Sequence, residues 1–185
     1  MNPQDAPARA TLLYSANEVD AALQRMANEI SEDIAETHPF VIAVMNGGVF
    51  TAVSLCRYFR FAYEFDFVHV TRYGHSLHGG DLEWRVRPRA DLEGRTILLV
   101  DDVLDKGLTL SALHAEFRRI GVSDVRTAVL VNKRLSTDFQ RPAVDYYALE
   151  TDDVYLFGCG MDFAGYWRGL PEIYGQRQKI SSQTA

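Results

Sequence analysis

Apolar residues recur along this chain in two rhythms that alternate. Val19, Leu23, Met26, Ile30 and Ile34 fall at helical spacing, which predicts an amphipathic helix over 16–36. Ser15-Ala16-Asn17-Glu18 supplies the Ser-x-x-Glu form of a capping box, and His38-Pro39 ends the helix. Phe40–Val44 is short and wholly apolar, as a buried strand is. Asn46-Gly47-Gly48 breaks it, and helical spacing returns over 49–59. Glu64 to Thr71 begins by alternating polar and apolar residues, the period of another strand. Tyr73 to Trp84 then loses any apolar period until its end. With three glycines it is expected to be a long mobile loop, or a hairpin with its tip at Gly79-Gly80. Long loops in compact domains often act as lids.

The strongest pattern follows. Asp91-Leu92-Glu93-Gly94 turns the chain into Ile97–Val100, an apolar run expected to be a buried strand that stops at Asp101-Asp102. A short loop with Asp105 and Gly107 leads to a helix over 109–120. Leu110, Leu113, Phe117 and Ile120 share one face of that helix, and Gly121 fits its C-terminal cap. Val125–Val131, ending at Asn132-Lys133-Arg134, then Val144–Leu149 and Val154–Phe157 complete the strands. Residues 1–12 are expected to be a loose leader, and the tail from about 176 is polar. Strands alternating with helices predict an α/β domain with a mainly parallel sheet of about five strands, flanked by helices.

Composition narrows the classes. The chain has 185 residues, of which 47% are hydrophobic and 24% charged, so one globular domain over 1–185 is expected. A net charge of −6 argues against a general binder of nucleic acid or membrane surfaces. Cys56 and Cys159 lack CxxC spacing and are expected to be reduced thiols. Met1 to Ala10 lacks the apolar segment of a secretion signal, and no run approaches a membrane span, so a cytoplasmic location is expected.

The candidate chemistry gathers after the apolar runs. A strand, an acidic loop and a helix N-terminus form the geometry in which open parallel sheets bind ligands. Backbone N–H groups at the helix start, with Gly107 allowing close approach, suit a phosphate. Asp101 and Asp102 suit ribose hydroxyls or a metal. Asp105, taken alone, reads as well as a turn or N-cap residue as it does as a functional one. Lys133, Asp162 and Arg168 are ambiguous singly, and His69, His75, His78 and His114 lack a metal-ligand spacing.

Together these residues form a more specific pattern. Asp101-Asp102-Val103-Leu104-Asp105-x-Gly107-x-Thr109 after an apolar strand resembles the phosphoribosyl-pyrophosphate motif of type I phosphoribosyltransferases. From about residue 12 to 177 the chain is similar to their hypoxanthine-guanine branch. Asn46-Gly47-Gly48, Arg72-Tyr73-Gly74, Asn132-Lys133-Arg134, Tyr155-Leu156-Phe157-Gly158, Asp162 and Arg168 carry that likeness. It implies the type I fold, with a small hood made by N- and C-terminal segments. It implies a Mg²⁺-dependent enzyme of purine salvage that makes IMP and GMP from phosphoribosyl pyrophosphate and a 6-oxopurine base. A homo-oligomer, dimer or tetramer, is also implied.

Residue roles follow from the resemblance alone. Asp101 and Asp102 would hold the ribose hydroxyls, and Asp105 would act near purine N7 as the proton partner. The stretch from Asp105 through Lys106, Gly107 and Leu108 to Thr109 would cradle the 5′-phosphate. Met45, Asn46 and Gly47 would meet pyrophosphate, as would Arg168. Lys133 would donate to the 6-oxo group, Tyr155 would stack on the base, and the Leu156 backbone would face its edge. Asp162, with Asp101 and Asp102, would help hold Mg²⁺. Arg72 and Tyr73 would open a lid. Two positions depart from the family: Lys106 stands where a small hydroxyl residue is usual, and Arg72 where many members carry serine. Two other readings remain: an enzyme preferring xanthine or guanine, and a non-catalytic regulator of this fold that binds nucleic acid.

Overall fold

A computed structural model describes residues 3–72, 82–88, 91–135 and 141–176. The chain begins with α1 (Ala6–Arg9), β1 (Thr11–Tyr14), α2 (Ala16–Ile34), β2 (Phe40–Val44) and α3 (Gly48–Cys56). It continues with β3 (Glu64–Arg72), β4 (Leu82–Val86), β5 (Thr96–Leu104) and α4 (Leu108–Ile120). It closes with β6 (Asp124–Arg134), β7 (Tyr146–Asp152), β8 (Tyr155–Phe157) and β9 (Ile173–Gln176). A six-stranded sheet has the order β4-β3-β2-β5-β6-β7, and a three-stranded sheet has the order β1-β9-β8.

The wholly apolar strands are explained by having both faces covered. On β2 and β5, Val41, Ala43, Leu98 and Val100 face one core cluster, shared with Leu23, Met26 and Ile30 of α2 and Ala52 and Leu55 of α3. Phe40, Ile42, Ile97 and Leu99 face the other, shared with Leu110, Leu113 and Phe117 of α4. The result is three layers: α2 and α3, the sheet, then α4. The Ser15 capping box forms as its sequence predicts, with the Ser15 N–H donating to Glu18 Oε2 at 2.8 Å.

Several boundaries differ from the sequence expectations. The central strand does not stop at the acid pair. Asp101, Val103 and Leu104 continue in parallel register with Val129, Val131 and Asn132, because β6 is long enough to pair with them. Lys133 likewise lies on β6, in register with Thr151, rather than after it. β7 is shifted to Tyr146–Asp152, and α3 ends at Cys56. The five parallel strands are joined by β4, which pairs antiparallel with β3 and places Arg72 opposite Leu82. That pairing makes the two strands arms of a hairpin; Tyr73, His75, His78 and Gly79-Gly80 lie outside the described residues.

Residues 3–12 are not a loose leader. Ala6 is buried, Trp167 Nε1 donates to the Pro3 carbonyl at 2.6 Å, and Thr11 pairs with Gly175 across β1 and β9. The small sheet built from both ends of the chain is the hood that the resemblance implied. No described helix is long and apolar enough to cross a membrane.

Glu116 on α4 joins the hairpin to the helical layer. It accepts from Arg119 at 2.8 Å and from Arg87, just past β4, at 3.2 Å. The Arg119 hydrogen bond, with Arg87 helping, holds its carboxyl down at about 2. A carboxyl lowered by folding stabilises the fold above its ordinary range and loses that contribution as pH falls. The thermal midpoint of Glu116→Gln is therefore expected below that of the natural protein at neutral pH. The gap should close as pH drops from about 4.5 towards 2. A gap that stays constant over that range would show that the ion pairs contribute nothing.

Candidate active site

The sheet order sets the position of the site. The chain leaves β2 through α3 on one face of the sheet and leaves β5 through α4 on the other. Adjacent parallel strands whose connections diverge open a crevice at their carboxyl ends. Here that edge carries Met45-Asn46-Gly47 after β2 and Asp101-Asp102 on β5. The Met45–Asn46 peptide is cis, and the Met45 N–H donates to the Val68 carbonyl at 2.8 Å.

The two loops meet so closely that only glycine fits. A Cβ on Gly47 would lie 1.6 Å from Asp102 Oδ2, and one on Gly48 would lie 2.6 Å from the Val100 carbonyl oxygen. From the hood side Gly160 completes the contact, where a Cβ would lie 2.3 Å from the Gly47 carbonyl oxygen. The Asp102 N–H donates to Asp101 Oδ1 at 2.9 Å. Burial, reinforced by the charge of Asp102, pushes the Asp101 carboxyl well above the ordinary range. Burial also raises Asp102, against the opposing pull of its hydrogen bonds and of Arg168. Such a pair gains from any cation or hydroxyl donor that enters the crevice.

Beyond the pair, Asp101, Val103, Asp105, Lys106, Gly107, Leu108, Thr109 and Leu110 line a cavity of about 250 Å³. Gly107 has a left-handed φ of 68°, and no side chain caps α4. The first N–H groups of the helix therefore border the cavity without a capping side chain. Arg141 Nη1 donates to the Leu104 and Asp105 carbonyls at 3.4 Å each and ties the loop down.

Lys133 closes the other side. It is only 7% exposed, and its Nζ lies 3.7 Å from Asp105 Oδ2. Asp153, in the link between β7 and β8, lies 3.6 Å from the same nitrogen. Tyr155 on β8 donates to the Asp162 carbonyl at 2.9 Å and meets Phe163 edge-on at 5.6 Å. Asp162 pairs with Arg168 through Oδ1 and accepts the Gly165 N–H through Oδ2 at 2.7 Å. Arg168 also donates to the Gly160 carbonyl at 2.6 Å, directly behind Gly47.

The residues singled out from sequence therefore converge, with qualifications. The Leu156 side chain is buried in the core, which leaves its backbone for contact. Arg72 is the last residue of β3. Tyr73 lies outside the described residues. Asp162 reaches the acid pair through Arg168, and no group of three or more His, Cys, Asp or Glu able to hold a metal occurs among the described residues. A cation held by two carboxylates would need oxygens from water and substrate, which is how Mg²⁺ is usually held. Hard oxygen donors whose negative charge is crowded in a half-buried place suit such an ion.

Asp153 and Gly160 escaped the sequence reading. Asp153 sits in Asp152-Asp153, which reads as a solvated turn, and only the β6–β7 register brings it to Lys133. The two cysteines are free, and burial lifts them to about 11 for Cys56 and about 12 for Cys159. A cavity of about 800 Å³ lies between β1 and the end of β7; Asp153 lines it, while none of the sequence-predicted site residues does.

Comparison with known proteins agrees with this geometry. Residues 11–164 match the family model described as phosphoribosyl transferase domain, and the chain belongs to that family. It is 31% identical over 168 residues to the hypoxanthine-guanine phosphoribosyltransferase of Aquifex aeolicus, covering 88% of this chain and 92% of that protein. It is 26% identical to the hypoxanthine-guanine-xanthine phosphoribosyltransferase of Tritrichomonas foetus, covering 88% of each. Its fold matches a hypoxanthine phosphoribosyltransferase structure from Staphylococcus aureus with a TM-score of 0.85. That match has 17% identity and covers 98% of this chain and 99% of the other. Within the family, the chain falls in the hypoxanthine-guanine branch.

The glycine contact yields a direct test. Gly47→Ala keeps an allowed φ of −68° but drives a methyl into the Asp102 carboxylate. The variant should fold, and kcat/KM for phosphoribosyl transfer should fall about a hundredfold, the scale of a 1 Å misplacement. Unchanged kinetics would show that the position of the carboxylate is immaterial.

Proposed function

We propose that the protein transfers the 5-phosphoribosyl group of phosphoribosyl pyrophosphate to N9 of hypoxanthine and guanine, giving IMP and GMP. The C1′–N9 bond forms, the C1′–O bond to pyrophosphate breaks, and the purine gives up a proton. The observation that carries the reading is the buried Lys133, 3.7 Å from Asp105, which together with Asp101 lines the cavity of about 250 Å³. A donor and a carboxylate at that spacing suit the 6-oxo group and the N7 position of one purine.

The other roles follow the geometry. Asp101 and Asp102 accept from the ribose hydroxyls at the mouth of the crevice. Lys106, Gly107, Leu108 and Thr109 surround the 5′-phosphate, with N–H groups of the α4 start and the Thr109 hydroxyl as donors. Asn46, Gly47 and Arg168 face the pyrophosphate. Tyr155, its ring set by Phe163 and its hydroxyl by Asp162, stacks on the base, and the Leu156 backbone faces the purine edge. Asp101, Asp102 and, through water, Asp162 would hold Mg²⁺, which supplies charge stabilisation to the departing pyrophosphate.

Charge development explains the residue types. Bond breaking leaves positive charge on the sugar, which the Asp101–Asp102 carboxylates stabilise, and negative charge on the leaving group, which Arg168 meets. A 6-amino purine presents a donor where Lys133 needs an acceptor, and an unmatched buried partner is a large penalty. We place the protein in the cytoplasm as a homo-oligomer, in keeping with its substrates and its two free thiols. The likeness to the Tritrichomonas foetus enzyme, whose name includes xanthine, keeps that base as the second candidate.

Incubation with phosphoribosyl pyrophosphate, Mg²⁺ and each base in turn should give nucleotide from hypoxanthine and guanine and none from adenine. Asp105→Asn should lower kcat by about a hundredfold or more, the range of acid–base contributions, with KM for phosphoribosyl pyrophosphate nearly unchanged. Absence of product with hypoxanthine, guanine and xanthine alike would refute the reading.

A further inference from the structure

We propose that Asp153 is a positioning residue for base recognition: it holds the Lys133 ammonium so that one N–H points at the 6-oxo group of the purine. The inference rests on the salvage reading above and extends it to a residue that carries none of the roles given there.

An ammonium has three N–H donors at fixed tetrahedral directions. Around Lys133, Asp105 Oδ2 lies at 3.7 Å and Asp153 Oδ1 at 3.6 Å. The two carboxylates come from different elements, one following β5 and the other between β7 and β8. At these distances both are ion pairs rather than hydrogen bonds, so two charges hold the ammonium in place while its N–H groups stay available to an uncharged acceptor. With Asp105 alone, the ammonium would swing towards the phosphate loop and spend its charge on the group needed for proton transfer. Asp153 supplies the opposing pull.

Burial makes the arrangement matter. Lys133 has 9% of its side chain exposed, against 51% for Asp105 and 56% for Asp153. A buried cation depends on its partners, whereas half-exposed acids contribute little to the stability of the fold. Loss of Asp153 therefore moves the ammonium rather than unfolding the chain. Asp153 also stands two residues before Tyr155, with the Val154 N–H donating to the Asp152 carbonyl at 2.8 Å in the turn between them. The donor to the base and the ring that stacks on it are thus set from one short link.

The test is equilibrium binding of IMP, GMP and phosphoribosyl pyrophosphate to the natural protein, Asp153→Ala, Asp153→Asn, Lys133→Met and the Lys133→Met/Asp153→Ala double variant. Asp153→Ala should weaken IMP and GMP about tenfold, the scale of one misplaced charged hydrogen bond. Phosphoribosyl pyrophosphate should change by less than about twofold and the thermal midpoint should hold, since the base alone meets Lys133. Asp153→Asn, which keeps the acceptor oxygen, should lie between. In the Lys133→Met background, removing Asp153 should have no further effect, because a shared function is lost once. Equal weakening of phosphoribosyl pyrophosphate, or a full Asp153 effect without Lys133, would overturn the proposal. So would an Asp153→Ala variant that binds IMP like the natural protein. If the natural protein itself binds neither IMP nor GMP, the salvage reading has failed and the proposal falls with it.

Discussion

Two carboxylates adjacent in sequence, both half-buried, and both near the end of a central strand are unfavourable company. Burial penalises each charge, and the charge of Asp102 adds to the penalty on Asp101. The neighbouring structure is arranged around that penalty. β6 extends past the pair so that their backbone stays in register, Gly47 and Gly48 lack the atoms that would displace them, and Arg168 brings positive charge from the hood. The fold places at the switch point a demand for hydroxyl donors and a cation, which a sugar carrying phosphates with bound Mg²⁺ satisfies.

The hood is held to the core by the same contacts that shape the site. Gly160 touches Gly47, Arg168 donates to the Gly160 carbonyl, Asp162 holds Arg168, and the Asp162 carbonyl accepts from Tyr155. β9 and β1, anchored by Trp167 to Pro3, keep this chain of contacts in place from both ends of the sequence. A shift of the hood is therefore a shift of the Tyr155 ring relative to Lys133. Packing far from the reacting atoms thus bears on turnover, since proximity is a large share of the catalytic effect.

What the sequence discloses and what it conceals divide along physical lines. The Phe40–Val44 and Ile97–Val100 runs, the α2 face and the Gly121 cap are local patterns, and the structure bears them out. β1 and β9 are short, mixed in polarity and paired across more than a hundred and fifty residues (Thr11 with Gly175), so no local period announces them. β5 and β6 run past their apolar runs because pairing between them sustains polar residues that pattern alone assigns to loops. At the crevice, the positions of Asp101, Asp102 and Gly107 follow from the strand–loop–helix pattern, whereas Lys133 stands out only through the family resemblance. Asp153 and the Gly160–Gly47 contact were not, because each depends on which strands become neighbours.

We propose that the half-buried acid pair binds the sugar of the phosphoribosyl donor. The most direct measurement is the affinity for phosphoribosyl pyrophosphate in the presence of Mg²⁺, compared between the natural protein and the Asp101→Asn/Asp102→Asn double variant. Removing two crowded, half-buried charges should leave the thermal midpoint level or higher. Affinity should fall about a hundredfold as two charged hydrogen-bond acceptors are lost. An unchanged affinity, with the fold intact, would contradict the account.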